Sequence, residues 1–146
     1  MYSDGTQYIQ PSTSRNYCCT FLEYSGDFRY TLKTTGRLGI CFSGMRNQSD
    51  TMSWDYFIQL EAGCFLISWE NGYTRLASTS QPSSSTQILT KQNGLLNWQI
   101  YNQNDTLILD YTCSATSDYA KNLKYLGVVN ATGGASSIQE ILVEAL

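Results

Sequence analysis

Leu95-Leu-Asn-Trp-Gln-Ile-Tyr101, then Asn102-Gln-Asn-Asp-Thr106, then Leu107-Ile-Leu-Asp-Tyr-Thr112: two apolar runs flank a cluster of turn-forming residues. In the first run Leu96, Trp98 and Ile100 alternate with Asn97 and Gln99; in the second, Leu107, Leu109 and Tyr111 share one side. A period of two marks a half-buried strand, because successive side chains point to opposite faces of a sheet. Asn and Asp between the runs favour a tight reversal. The segment reads as a β-hairpin.

Working outward, the same short alternating runs recur between Gly, Asn, Asp and Ser clusters, and helical periodicity is almost absent. Strands are predicted over 28–33, 37–42, 56–60, 64–69, 74–77, 86–90, 95–101, 106–112, 123–129 and 138–143, with an earlier one around 17–24. Phe28, Tyr30 and Leu32 form one core stripe, and Phe65, Ile67 and Trp69 another. Glu70-Asn-Gly-Tyr73 is a second hairpin. The serine-rich stretch 78–86, with Pro82, reads as a long exposed loop. The pattern is all-β: one antiparallel β-sandwich domain over residues 1–146.

Composition excludes several function classes. The chain has 146 residues, enough for one core that buries roughly two-thirds of the unfolded surface. Nine basic against twelve acidic residues, net charge -3, leave no electrostatic footprint for nucleic acid. The longest apolar runs fall far short of the roughly 20 residues that span a bilayer, so membrane insertion is not expected. With no histidine, Ser-His-Asp and Cys-His catalysis are unavailable. The segment Thr132-Gly-Gly-Ala135 lacks the spacing and lysine of a phosphate loop. No internal repeat of about 20 to 50 residues is present, against trefoil and propeller lectins.

The five cysteines, Cys18, Cys19, Cys41, Cys64 and Cys113, contain no CxxC pair. Adjacent Cys18 and Cys19 must face opposite sides of a strand, so disulfides, if formed, send them to different partners. The alternative is buried, reduced thiols. Asn47, Asn104 and Asn130 each begin a glycosylation sequon. Met1-Tyr-Ser-Asp-Gly5 carries no signal-peptide pattern. A mature secreted chain is the expectation, and a cytosolic one the alternative.

Abundant Ser, Thr, Asn, Gln and Gly, with 11 tyrosines and only 14% charged residues, suit a surface that recognises hydroxyl-rich ligands. Trp54 and Trp69 fall at strand ends beside Asp55 and the Asn71-Gly72 turn. An aromatic there can stack on the apolar face of a pyranose while Asp55, Asn71 or Tyr73 bonds its hydroxyls. Asp55, Trp69, Asn71 and Tyr73 are therefore the candidate glycan-binding residues, with Asn130 as an outlying fifth. Trp98, mid-strand, reads as core. Asp50, Asp55, Asn104 and Asp105 could supply oxygen ligands to calcium, but their spacing is not that of an EF-hand, and turn-forming roles fit them better. No cofactor is expected.

Four stretches resemble the farnesoic acid O-methyltransferase-like domain. They are Phe28-Arg-Tyr-Thr-Leu-Lys-Thr-Thr-Gly-Arg-Leu-Gly-Ile-Cys-Phe-Ser-Gly44, Trp69-Glu-Asn-Gly-Tyr-Thr-Arg-Leu76, Asn97-Trp-Gln-Ile100 with Leu107-Ile-Leu109, and Tyr125-Leu-Gly-Val128 with Gly133 and Ser137. The resemblance implies a jelly-roll-like β-sandwich used as a recognition module. It carries no methyl transfer, since no βαβ pattern for a nucleotide-type cofactor is present.

The sequence thus points to a lectin-like adhesion module without catalysis, binding glycans or glycoproteins and forming a homo-oligomer that multiplies weak single-site affinity. The alternative is a structural self-assembling subunit of a coat, matrix or filament. A carboxylate-based hydrolase would need two acidic groups converging in one cleft.

Overall fold

The computed structural model describes residues 2–3, 8–9, 17–45, 48–49, 55–130 and 136–146. Asn47, Asp50 and Trp54, singled out above, lie outside the described residues.

Fourteen strands and one short 3-10 turn make up the described chain. The strands are β1 Tyr2–Ser3, β2 Tyr8–Ile9, β3 Tyr17–Glu23, β4 Phe28–Thr35, β5 Gly39–Ser43, β6 Gln48–Ser49 and β7 Tyr56–Leu60. Then follow β8 Cys64–Ser68, β9 Thr74–Thr79, β10 Ser84–Gln92, β11 Leu95–Tyr101, β12 Leu107–Ser114, β13 Tyr125–Asn130 and β14 Ser137–Ala145. Among the described residues β1 pairs only with β2. The remaining strands form a five-stranded sheet, β12-β11-β10-β4-β14, and a seven-stranded sheet, β6-β3-β13-β5-β7-β8-β9, with every ladder antiparallel.

The two sheets stack through one apolar layer. Phe28, Tyr30, Leu32, Leu89, Leu96, Trp98 and Ile100 from the smaller sheet meet Phe21, Ile40, Phe42, Ile58, Leu66 and Val128 from the larger. All are at most 1% exposed. Edge-on ring pairs, Phe21 on Tyr30 and Phe28 on Phe42, fill the middle at centroid distances of 5.5 and 5.6 Å. The Tyr30 hydroxyl crosses the layer to donate to the Gly127 carbonyl at 3.0 Å.

One predicted stripe changes face and another loses a member. Cys64 and Leu66 of β8 join the sandwich layer, whereas Ile67, with Phe65 and Trp69 packed on it, belongs to a second buried cluster with Cys18, Cys41, Phe57 and Val129. The middle of the larger sheet is therefore apolar on both faces, and alternation alone could not choose the inner one. In β12 a bulge opposite Ile100 and Tyr101 shifts the register, so that Leu109 is buried and Leu107 is 43% exposed. The predicted loop over 78–86 also shortens, because Ser84 and Ser85 enter β10 opposite Thr35 and Thr34.

No disulfide joins the five cysteines. Cys18 and Cys19 do face opposite sides, Cys19 in the inner layer and Cys18 in the outer cluster. The Cys18 sulfur lies 3.5 Å from that of Cys41. This contact, then burial, pushes the Cys41 thiol well up, and burial alone lifts Cys64 to about 12.

Gln87 supplies the polar tie between the sheets. It is 1% exposed, and its Oε1 accepts from the Ile40 amide at 2.9 Å. Its Nε2 donates to the Leu38 carbonyl at 2.9 Å and to Ser85 Oγ at 3.1 Å. Gln87→Leu keeps the volume but orphans a buried amide and a buried carbonyl, so a loss of about 2–4 kcal/mol is expected. Gln92→Leu, at an exposed position of the same strand, should change stability by less than about 0.5 kcal/mol. Urea unfolding of both variants checks the contrast.

Candidate functional site

One end of the sandwich holds a cavity of about 450 Å³. Asp55 anchors it, at the entrance to β7. Its φ of 47° is left-handed, a region that Asp tolerates better than most side chains. This conformation brings its backbone against two strands at once: it forms an isolated bridge with Phe42, and its carbonyl accepts from the Trp69 amide at 2.9 Å.

The Asp55 carboxylate is almost fully committed. Oδ2 accepts from the Gly44 amide at 2.7 Å and from Ser43 Oγ at 3.2 Å, which holds the end of β5. Oδ1 accepts from the Tyr119 hydroxyl at 2.8 Å. Tyr119 lies just before the 3-10 turn Ala120–Asn122, where Ser117 Oγ accepts from the Ala120 amide at 3.1 Å. The Lys124 amide then donates to the Ser43 carbonyl at 3.1 Å and ties this segment back to β5. Burial, then the bond to Asp55, pushes the Tyr119 phenol well above its ordinary range. Its ring meets Tyr56 edge-on at 5.6 Å.

Trp69, at the end of β8, forms the aromatic wall, and Gly44, Met45, Asp118, Asn122 and Leu123 also line the cavity. The Trp69 Nε1 is buried and has no hydrogen-bond partner among the described residues. Tyr73 packs edge-on against Trp69 at 5.5 Å and donates to Gln59 Oε1 at 2.7 Å. The structure thus brings Asp55 and Trp69 to one cavity, while Tyr73 packs against Trp69 without lining it. Asn71 remains exposed on its turn and does not line the cavity.

Asn130 does not belong with them. It is fully buried at the end of β13, so it cannot meet a ligand from solvent or accept a glycan in the folded chain. Asn104 and Asp105 sit on the β11–β12 hairpin tip, where the Asn102 side chain accepts from the Asn104 and Thr106 amides. Among the described residues no three Asp, Glu or Cys side chains gather as a metal site.

Sequence reasoning missed Tyr119, Gly44 and Asn122. The only signal was negative: 114–122 breaks the strand alternation with a run of Ser, Thr, Asp and Asn. Two carboxylates do border the cavity, Asp55 and Asp118. However, the Asp118 side chain is fully exposed and pairs with Lys121 at 2.9 Å, unlike the apolar burial that equips a carboxyl as general acid. The site offers a fixed acceptor, an aromatic wall and amide groups, which suit binding of hydroxyls.

Because the folded state holds the Tyr119 proton more tightly than the unfolded chain does, this stabilisation is complete below the ordinary phenol value of about 10 and is lost as pH rises from there through the folded value. Denaturant unfolding across alkaline pH should show this decline in the parent chain and a shallower one in Tyr119→Phe.

No protein-family profile matches the chain, that of the farnesoic acid O-methyltransferase-like domain included, and no characterised protein sequence matches it. Solved structures do. The CBM2 module of the evolved Dit protein of Lactobacillus casei BL23 phage J-1 superposes with a TM-score of 0.52 at 9% identity, over 86% of this chain and 66% of that one. A family 7 alginate lyase in complex with product gives 0.54 at 12% identity, over 86% and 66%. A variant of this lyase with a histidine and a tyrosine replaced, in complex with substrate, gives 0.53 at 12% identity, over 85% and 63%. The chain spans just under two-thirds of the length of each. Among the described residues no helix is long and apolar enough to cross a membrane. The fold is the jelly-roll β-sandwich that the resemblance implied, shared with a carbohydrate-binding module and with polysaccharide lyases.

Proposed function

We propose that this chain is a carbohydrate-binding recognition module without catalysis, taking a glycan at the Asp55–Trp69–Tyr119 cavity. One observation carries the reading: an open, aromatic-walled cavity whose polar groups are fixed by mutual hydrogen bonds before any ligand arrives. Pre-organised polar groups beside an aromatic face lose little freedom on binding a sugar ring. The carbohydrate-binding module and the alginate lyase among the structural neighbours support a glycan as the ligand class.

Lyase chemistry is less well supported. The substrate complex of the lyase was obtained with a histidine and a tyrosine replaced, and this chain has no histidine. The module acts outside the cell in adhesion to glycans or glycoproteins, and a closed homo-oligomer multiplies its weak single-site affinity.

A second reading, a self-assembling structural subunit, draws on β14. This nine-residue strand pairs only with β4 among the described residues and leaves Leu142 44% exposed. An open edge of this kind can template pairing with another chain.

A glycan array with labelled protein, with and without calcium, tests the first reading. Binding to a defined sugar class should fall about tenfold or more in Trp69→Ala, with a smaller fall in Tyr119→Phe and unchanged circular dichroism. Alginate incubated with the chain should yield no unsaturated product. Binding that Trp69→Ala leaves intact would remove the site. A blank array with open-ended, concentration-dependent assembly in size-exclusion chromatography would select the structural subunit.

A further inference from the structure

The outward face of the five-stranded sheet carries a second concavity, of about 250 Å³, which shares no lining residue with the first. It lies near the β10–β11 turn, where Thr90, Asn97 and Thr112 stand side by side in register on β10, β11 and β12. Asn93 and Gly94, with φ of 54° and 76°, form that turn in the left-handed pair of conformations that a type I′ reversal needs. The turn sets Asn93 and Leu95 at the rim. Leu95 is 49% exposed, an apolar wall beside amides and hydroxyls.

Asn97 makes this a built surface. Its Nδ2 donates to Asp110 Oδ1 at 2.8 Å, to Thr112 Oγ1 at 2.9 Å and to the Tyr111 carbonyl at 3.5 Å. All three partners lie on β12, and two of them can only accept, so the nitrogen must face β12. Oδ1 is thereby turned back towards the Thr90 side, as an acceptor already oriented. Thr112 Oγ1 accepts from Asn97, which leaves its own hydrogen for donation.

A fixed acceptor next to a donor, beside an apolar wall, complements the vicinal diol of a sugar ring. One hydroxyl donates to Asn97 Oδ1, its neighbour accepts from Thr112, and ring C–H groups rest on Leu95. Charge narrows the class. The Asp110 carboxylate adjoins Asn97, while further along the same row Arg29 and Glu144 stand in register with opposite charges, so the charge in contact with the site is negative. The geometry points to a second glycan contact on this face, selective for neutral vicinal-diol sugars over uronates. It rests on the reading of the chain as a glycan-binding module, and it lets one chain hold a polymer at two points.

The test is an isotope-labelled NMR titration of the full chain with methyl mannoside, methyl glucoside and glucuronate. The neutral glycosides should shift the Asn97 side-chain amide and the Leu95 and Thr112 backbone amides, with glucuronate about tenfold weaker. Thr112→Val keeps shape and strand propensity but removes the donor, and should weaken these shifts about tenfold while leaving those around Trp69 unchanged. Shifts confined to Asp55 and Trp69 overturn the second contact and leave the module reading standing. Shifts nowhere overturn both. An equal response to glucuronate, or Asn97 shifts that survive Thr112→Val, overturns the assignment.

Discussion

A buried glutamine from one sheet completes the backbone of the other, and much of the molecule depends on it. β5 and β7 share a single paired position, Cys41 with Phe57. Gly39 stands close to β7: a Cβ there would lie 2.1 Å from the Ile58 carbonyl oxygen. Gln87 reaches across the sandwich to the backbone at the start of β5, accepting from Ile40 and donating to Leu38. Buried backbone groups left unpaired would cost about as much as a lost hydrogen bond each. With both satisfied, β5 runs straight to Ser43 and Gly44, the two groups that grip Asp55. The cavity inherits its shape from a contact deep in the core.

Legibility in the sequence followed burial. Strands with one wet face, such as β4 and β11, show clean alternation, and the residues read from them as core are buried. Where both faces are dry, as in β8, the hydrophobic run marks a strand but not which way it faces. Bulges are similarly silent, because the extra residue in β12 leaves no mark in composition.

The site was half legible for a related reason. Asp55, Trp69 and Tyr73 stand near turns with recognisable chemistry, so local reading could group them. Tyr119 joins Asp55 from 64 positions away, and only the closed sandwich makes that meeting. Asn130 misled because its residue type suits a loop, whereas a strand buried it.

The same separation says something about the order of assembly. The hairpins β7–β8 and β10–β11 close through turns of a few residues. The bonds that define the end cavity and seal the sandwich span far longer loops, such as Tyr30 to Gly127 across 97 positions. Loop closure of that length opposes folding until many non-local contacts form together, which places folding on the slow, millisecond-to-second side for a chain of this size. The end cavity therefore exists only once the sandwich has closed. A ligand that bound only the closed cavity would draw the population towards the fully folded state.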